Sequence, residues 1–372
     1  MEGKTNIIHI ITSLDAGGAE RMLIKLLSQM NLNKYSMKVI SMKDKGIYGP
    51  EIEKMGIELV TLNMKKGIPS FKALRKCIIE SKEADIIQTW MYHADLLGMI
   101  VKKFSDAKRL IWGIHHNNLD LDKNKFLTLA IAKINAIFSK SVDFIVSCSN
   151  NAVGIHEKFG YATDNMIVIP NGFELESFKK IENARNLIKN ELGIKSKWII
   201  SHVGRWNILK DYNNLFNSLY ELTKRNIDFE AILCGKEIEW SNKELVSLIN
   251  KYNLSTRIHL LGIRRDIPLI LSASDVFVSS SVGEGFANVI GEAMACEVPC
   301  VVTNVGDSSF IVGEVGISVP SKDPIALSKG IIKLLEMTED ERLLLGKKAR
   351  MRVIENFDIK RVAEQYESLY EL

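Results

Sequence analysis

With 372 residues, 46% of them apolar and 25% charged, the chain is long enough for two hydrophobic cores and excludes a disordered or low-complexity protein. Net charge is +4, and the excess lies before Phe178, where 23 basic residues stand against 19 acidic ones; this is too weak to argue for nucleic acid but compatible with an anionic membrane surface. The five cysteines are scattered without a C-x-x-C pair, no leader precedes the first strand and no window is apolar enough to span a bilayer, so a cytoplasmic protein with reduced thiols is expected.

The first predicted strand is Ile7–Ile11. A turn carrying Gly17 and Gly18 leads into a helix over residues 19–30, whose Ala19, Met22, Leu23, Leu26, Leu27 and Met30 form one apolar face. Paired glycines admit close approach of a ligand at a helix start, although this pair fits a plain tight turn equally well. Strands predicted at 38–42, 58–62, 85–90, 109–114, 143–147 and 166–170 alternate with helices at 71–81, 94–104 and 126–138. Pro170-Asn-Gly172 is turn chemistry that closes this half, and a polar stretch to residue 197 begins something new.

The same grammar then restarts. Strands are predicted at 198–203, 230–234, 258–261, 275–279 and 298–302, with helices at 211–224, 243–252, 266–272 and 287–295. Three closing helices follow at 324–335, 338–355 and 359–372. Strands that are apolar throughout and alternate with helices imply parallel sheets covered on both faces. Two such halves predict an α/β chain of two doubly wound, Rossmann-like domains facing a central cleft, with ligands beyond the carboxyl ends of the strands.

The chemistry is expected at those strand ends. After the strand at 275–279 the chain passes Gly283 and Gly285 into a helix, a corner whose free N–H groups favour an anion. Glu284 lies in that loop and Glu292 about two turns into the helix; each carboxylate can accept from paired hydroxyls of a sugar or ribose. The plain alternative is a strand-to-helix turn with two solvated glutamates. At the end of the strand at 198–203, Gly204 lets the backbone turn, and Arg205 with Lys210 could clamp a diphosphate. Trp112-Gly-Ile-His-His-Asn-Asn118 and Trp90-Met-Tyr-His-Ala-Asp95 end neighbouring strands, where a histidine could donate to sugar or phosphate and an aromatic could stack, or simply pack in the core. No metal signature is present, so no metal ion is expected.

The segment Glu284-Gly-Phe-Ala-Asn-Val-Ile-Gly-Glu292 resembles the E-x7-E motif of retaining GT-B glycosyltransferases of family four. The order of other segments is similar too: Asp15-Ala-Gly-Gly-Ala-Glu20, Ile169-Pro-Asn-Gly172, Val203-Gly-Arg205 with Lys210-Asp211, Leu261-Gly262 with Asp266-Ile-Pro268, and Val298–Gly306. Glu297 departs from it, standing where glycine is usual, as does Asp307-Ser308, where a second glycine is common.

The resemblance implies a GT-B fold with an acceptor-side domain over residues 1–177 and a nucleotide-sugar domain over 178–355. A helix over 356–372 would cross back to the first domain, burying Val362, Tyr366 and Leu369. It implies that Glu284 contacts the donor sugar and Glu292 the ribose. Arg205 and Lys210 would stabilise the departing diphosphate, with Gly17, Gly18, Gly204, the amides of Phe286 and Ala287, and Asn288 nearby. His116 would lie near the reacting sugar, with His115 in reserve, and the main chain of Ile263 and Arg264 would meet the base, uracil by family habit. No cofactor or metal is implied, because fixed cations take the metal's part. The implied partners are a nucleoside-diphosphate sugar and a glycan or lipid-linked glycan acceptor of cell-envelope or exopolysaccharide synthesis. Peripheral contact with the inner face of the cell membrane would run through Lys102, Lys103, Lys108 and Arg109. A nucleotide-sugar epimerase or a non-catalytic sugar-nucleotide-binding protein on the same fold are the alternatives; a nicotinamide dehydrogenase lacks its G-x-G-x-x-G.

Overall fold

The strands are built from runs such as Ile7–Ile11 and Val276–Ser279, in which successive side chains are buried on both faces; only a sheet covered on each side accommodates them. A computed structural model describes residues 4–15, 17–64, 70–116, 119 and 125–372. Asn117 and Asn118, noted beside the histidine pair, and Ala16 of the glycine turn lie outside the described residues.

Two units divide the chain. The first, Met1–Gly172 with Ile359–Leu372, runs β1 (Thr5–Ile11), α1 (Gly18–Gln29), β2 (Tyr35–Ser41), α2 (Gly49–Lys54), β3 (Glu58–Thr61), α3 (Phe71–Glu80), β4 (Ile86–Trp90), α4 (Tyr92–Lys102), β5 (Arg109–Ile114), α5 (Phe126–Phe138), β6 (Phe144–Ser147), α6 (Asn150–Phe159) and β7 (Met166–Val168). Its sheet is parallel throughout, in the order β3-β2-β1-β4-β5-β6-β7. The second unit, Phe173–Asp358, runs α7 (Ala184–Leu192), β8 (Trp198–Val203), α8 (Tyr212–Lys224), β9 (Phe229–Cys234), α9 (Lys243–Lys251), β10 (Ile258–Leu260), α10 (Ile267–Ser272), β11 (Val276–Ser279), α11 (Asn288–Ala295), β12 (Cys300–Thr303), α12 (Ser308–Val312), β13 (Ile317–Val319), α13 (Pro324–Glu336) and α14 (Glu339–Phe357). Its parallel sheet has the order β10-β9-β8-β11-β12-β13, the doubly wound arrangement. In each unit the order reverses beside the first strand, and a crevice opens there at the carboxyl ends.

The last helix, α15 (Ile359–Glu371), belongs to the first unit. Its Val362, Tyr366 and Leu369 are buried in one cluster with Ile7, Ile11, Met22 and Trp90. Tyr370 OH donates to Gln88 Oε1 at 2.7 Å, and Arg109 Nη1 donates to the Tyr370 carbonyl at 2.7 Å.

The units divide at Gly172/Phe173 and at Asp358/Ile359 rather than after residues 177 and 355. Phe173 is fully buried, its N–H donates to Phe357 O at 2.8 Å, and its ring lies 6.0 Å from Phe286 and 6.1 Å from Phe357. That packing makes it a core residue of the second unit rather than of the first, to which the boundary after residue 177 assigns it. All five cysteines are buried and free.

Candidate functional site

In the second unit, β8 and β11 are neighbours at the point where strand order reverses, so the loops that follow them share one edge. The β8 loop carries Gly204, Arg205 and, in a short 3-10 turn, Lys210. Gly204 N–H donates to Cys234 O at 2.8 Å and Tyr212 OH donates to Gly204 O at 2.7 Å, which fixes the turn from both sides. Gly235, with φ of +149°, lets the β9 end approach: a Cβ there would stand 2.1 Å from Gly204 O. Asp211 then takes a left-handed conformation and caps α8 by accepting from Asn214 N at 3.1 Å.

The β11 loop meets this turn directly. Lys210 Nζ donates to Glu284 Oε1 at 2.5 Å, and Ser281 Oγ donates to the same oxygen at 2.6 Å. Ser280 Oγ donates to Lys210 O at 2.8 Å, and Val282 N–H to Leu209 O at 2.8 Å. Beneath the loop, Thr303 Oγ1 donates to Ser281 O at 2.6 Å. Gly306, with φ of +54°, leaves room for Glu284: a Cβ there would lie 2.2 Å from its carbonyl oxygen.

Neither glutamate is solvated. The Glu284 side chain is 12% exposed and Glu292 is 3% exposed, so the reading as two surface carboxylates fails. The helix starts at Asn288 rather than Ala287, which places Glu292 little more than one turn in. Phe286 and Ala287 are buried just before that start. Gly291, between the two glutamates, faces the Phe173 ring; a Cβ would come within 2.2 Å of it, which explains a glycine inside the helix.

Arg205 is exposed, and its guanidinium makes no protein hydrogen bond or ion pair among the described residues. Arg264 is not free in this way: it forms a fork with Asp266 at 2.6 and 2.8 Å and meets Glu191 at 2.6 Å, and these carboxylates raise its pKa. Ile263, 71% exposed beyond β10, follows Gly262, whose φ is +60°. An open cavity of about 570 Å³ beside it is lined by Trp206, Lys236, Glu239, Asn242 and Ile263 among others. Under the β8 turn, His202 is buried, pairs through Nδ1 with Val278 O at 2.9 Å, and is held neutral by burial, its pKa pushed down to about 4.

In the first unit, the loops after the adjacent strands β1, β4 and β5 also share one edge. Gly17 caps α1 in extended backbone; a Cβ there would meet the Glu20 carboxylate, which accepts from Ser13 Oγ at 3.0 Å, whereas Gly18 is open. His115 stacks on Trp90 with centroids 4.8 Å apart, and burial pushes its pKa down to about 4. His116 is partly exposed and stands edge-on to Tyr92 at 6.3 Å. Between β4 and α4, Met91 has φ of +77° and ψ of 156°, a conformation that L residues avoid and that is over-determined here by Met91 N–H to Gly113 O at 2.9 Å. Among the described residues, no three His, Cys, Asp or Glu side chains gather to hold a metal ion.

Sequence reasoning gave no role to Ser280, Ser281, Thr303 and Gly306, which hold the Lys210–Glu284 pair, although Thr303 and Gly306 lie in the Val298–Gly306 segment that resembles the family. The one signal was the triplet Ser279-Ser-Ser281 at the end of an apolar strand.

Comparison with known proteins decides the family. The profile described as Glycosyltransferase Family 4 matches residues 16–177, and that of Glycosyl transferases group 1 matches residues 197–337. The chain belongs to the family 4, group 1 glycosyltransferases. It is 28% identical to the Escherichia coli UDP-Gal:alpha-D-GlcNAc-diphosphoundecaprenol alpha-1,3-galactosyltransferase, over 83% of this chain and 79% of that protein. It is 24% identical to the Campylobacter jejuni N-acetylgalactosamine-N,N'-diacetylbacillosaminyl-diphospho-undecaprenol 4-alpha-N-acetylgalactosaminyltransferase, over 96% and 97%. Among solved structures it is similar to Anabaena HepE in complex with UDP, with a TM-score of 0.86, 22% identity and coverage of 99% and 100%. The fold of this glycosyltransferase is therefore GT-B.

Proposed function

We propose that this glycosyltransferase moves a sugar from a UDP-sugar to a lipid-linked or polysaccharide glycan intermediate, with retention of anomeric configuration, at the inner face of the membrane. The observation that carries the reading is the Lys210–Glu284 pair at the switch point of the second sheet. The names of the undecaprenol-linked relatives and the UDP complex of HepE support the acceptor and donor classes.

In this reading Lys210 supplies a point charge and Arg205 a planar fork to the diphosphate, whose charge grows as the glycosidic bond breaks. Glu284 exchanges its bond to Lys210 for hydroxyls of the donor sugar, and Ser281 keeps its Oε1 aimed. Glu292 accepts from the ribose diol, the amides of Phe286, Ala287 and Asn288 face phosphate, and the base lies by the main chain of Ile263 and Arg264. In the first unit, the Gly17–Gly18 turn is assigned a phosphate-binding role and His116 a role toward the reacting sugar. The acceptor attacks from the face the leaving group departs, so a single displacement retains configuration.

The deciding assay is UDP release from a panel of UDP-sugars with an undecaprenyl-diphosphate-linked acceptor, and NMR of the product anomer. A single preferred donor and a retained anomer are expected; an inverted product overturns the mechanism. Because the cations are side chains, activity is expected to survive EDTA; loss that only Mg²⁺ or Mn²⁺ restores overturns that part. Ser281→Ala removes a hydrogen bond to a charged acceptor, a contribution of about 1.5–3 kcal/mol. Turnover is expected to fall roughly tenfold or more with UDP affinity unchanged, and equal losses in both would show a general disturbance of the loop instead.

A further inference from the structure

We propose that His202 is a positioning residue that acts through Lys210: its Nε2 is the acceptor that takes the Lys210 ammonium when the donor sugar claims Glu284. The Val278 carbonyl can only accept, so its 2.9 Å bond to Nδ1 places the ring proton there and leaves a lone pair on Nε2. The side chain is 2% exposed, and Nε2 makes no hydrogen bond among the described residues. A buried acceptor without a donor is rare in a folded protein and calls for a physical account. Gly204 shows what this nitrogen faces. A Cβ built there would stand 3.3 Å from Nε2 and 3.4 Å from both Cδ and Cε of Lys210, so the imidazole and the lysine stem border one small space. Gly204 is not among the residues with positive φ, so its backbone does not require glycine; the missing side chain leaves that space open. Tyr212 packs against the same turn, its ring edge-on to the imidazole at 5.0 Å and its OH on Gly204 O.

A lysine ammonium carries three N–H donors. The Lys210 side chain is 18% exposed, which leaves little water to satisfy them, and Glu284 Oε1 takes one at 2.5 Å. In the UDP-sugar reading above, on which the role of His202 rests, hydroxyls of the sugar replace that bond. Lys210 then turns toward the diphosphate, and a rotation of its stem past Gly204 brings one N–H onto Nε2 while the others face phosphate oxygens. A neutral imidazole suits this task better than a carboxylate. It accepts a hydrogen bond without adding negative charge, so the full charge of Lys210 serves the leaving group. Burial keeps the ring in that neutral form, and the Lys210 charge beside it acts in the same direction.

The test is a double-mutant cycle on turnover with His202→Phe and Lys210→Met, beside nitrogen-15 NMR of the His202 ring in the full wild-type chain. His202→Phe removes an acceptor from a charged donor, so turnover is expected to fall roughly tenfold while UDP affinity stays within about twofold. In the Lys210→Met background the same substitution is expected to change turnover less than about twofold, because its target is gone. The NMR needs no variant. The Nε2 signal is expected at the position of an unprotonated nitrogen in the free protein and with UDP alone. It is expected to move to a hydrogen-bonded position when the preferred UDP-sugar is bound without acceptor. Equal losses from His202→Phe in both backgrounds, or an Nε2 signal that the UDP-sugar leaves unmoved, overturns the proposal. The underlying reading fails separately: Lys210→Met with wild-type turnover and UDP affinity removes the diphosphate clamp itself, and the role of His202 with it. A Lys210→Met variant that loses turnover, with His202→Phe costing the same in both backgrounds, keeps the clamp and overturns the role of His202 alone.

Discussion

Glu284→Gln is expected to lower turnover roughly tenfold to a hundredfold while the affinity for UDP changes little. The substitution keeps the size of the side chain, removes its charge and converts one acceptor oxygen into a donor amide. A hydrogen bond to a charged group contributes about 1.5–3 kcal/mol, and each 1.4 kcal/mol is about tenfold in rate. The structure adds a reason for the split between turnover and affinity. Glu284 already has two donors, Lys210 and Ser281, so it is held in place before any sugar arrives. Losing its charge also releases Lys210, which then meets the diphosphate without a competing carboxylate. Glu292→Gln is expected to do the opposite, because a ribose diol is bound alike before and during reaction. Its loss weakens UDP binding by about tenfold or more and leaves turnover at saturation close to wild type. Steady-state kinetics and calorimetric titration of UDP on both variants make the check, with a thermal melt to confirm that buried Glu292 has not been exchanged at the expense of the fold. Near wild-type turnover for Glu284→Gln ends the catalytic assignment, and unchanged UDP affinity for Glu292→Gln ends the ribose one.

The paired glutamates were legible because their spacing is local, and the strand–helix alternation because buried parallel strands are apolar throughout. The elements that escaped have weak local signals. α6 begins with two asparagines and carries Gly154, and its stability comes from Ser149 accepting from Ala152 N at 3.1 Å and from packing. α7 is polar along most of its length and buries only Ala184 and Ile188. α2 has six residues around Pro50, and β13 has three between Gly316 and Pro320, too few for a period to show.

Within the site, the hidden part is whatever joins distant segments. Nothing in the sequence near Lys210 announces that Ser280 binds its carbonyl, or that Gly306 lies under Glu284. One departure became intelligible instead. Glu297, in a place where the family has glycine, follows α11 with φ of +62°, the left-handed conformation that glycine adopts without strain. Glu297→Gly would relax that position without touching the Lys210–Glu284 pair.

A large pH effect, opposite in sign to that of the usual carboxylate, is expected from a residue outside the donor loops. Asp95 is fully buried on α4; Thr89 Oγ1 donates to its Oδ1 at 2.5 Å, and among the described residues no cation pairs with it. Burial outweighs that hydrogen bond and pushes its pKa from 3.8 up to about 7. The sign is the reverse of the usual carboxylate. Between about pH 4 and pH 7 the folded unit holds a proton that the unfolded chain has released, so stability falls as pH rises through that window. Below it the residue carries no penalty; above it the full one, on the order of 4 kcal/mol, applies. Buried histidines work in the other direction. His9, at about 3, and His115, at about 4, are neutral in the fold, so their contribution is present above their unfolded pKa of 6.5 and is lost as pH falls. A pH profile of the wild type alone therefore mixes both. The difference between the wild type and Asp95→Asn isolates the carboxyl, because the amide keeps an acceptor for Thr89 and cannot ionise. From pH 5 to pH 8 the variant is expected to gain roughly 2–3 kcal/mol relative to the wild type. Amide hydrogen exchange of β4 and β5 at the two pH values reads this opening free energy within the first unit. A constant difference between the two proteins across that range would mean that Asp95 is ionised in the fold throughout.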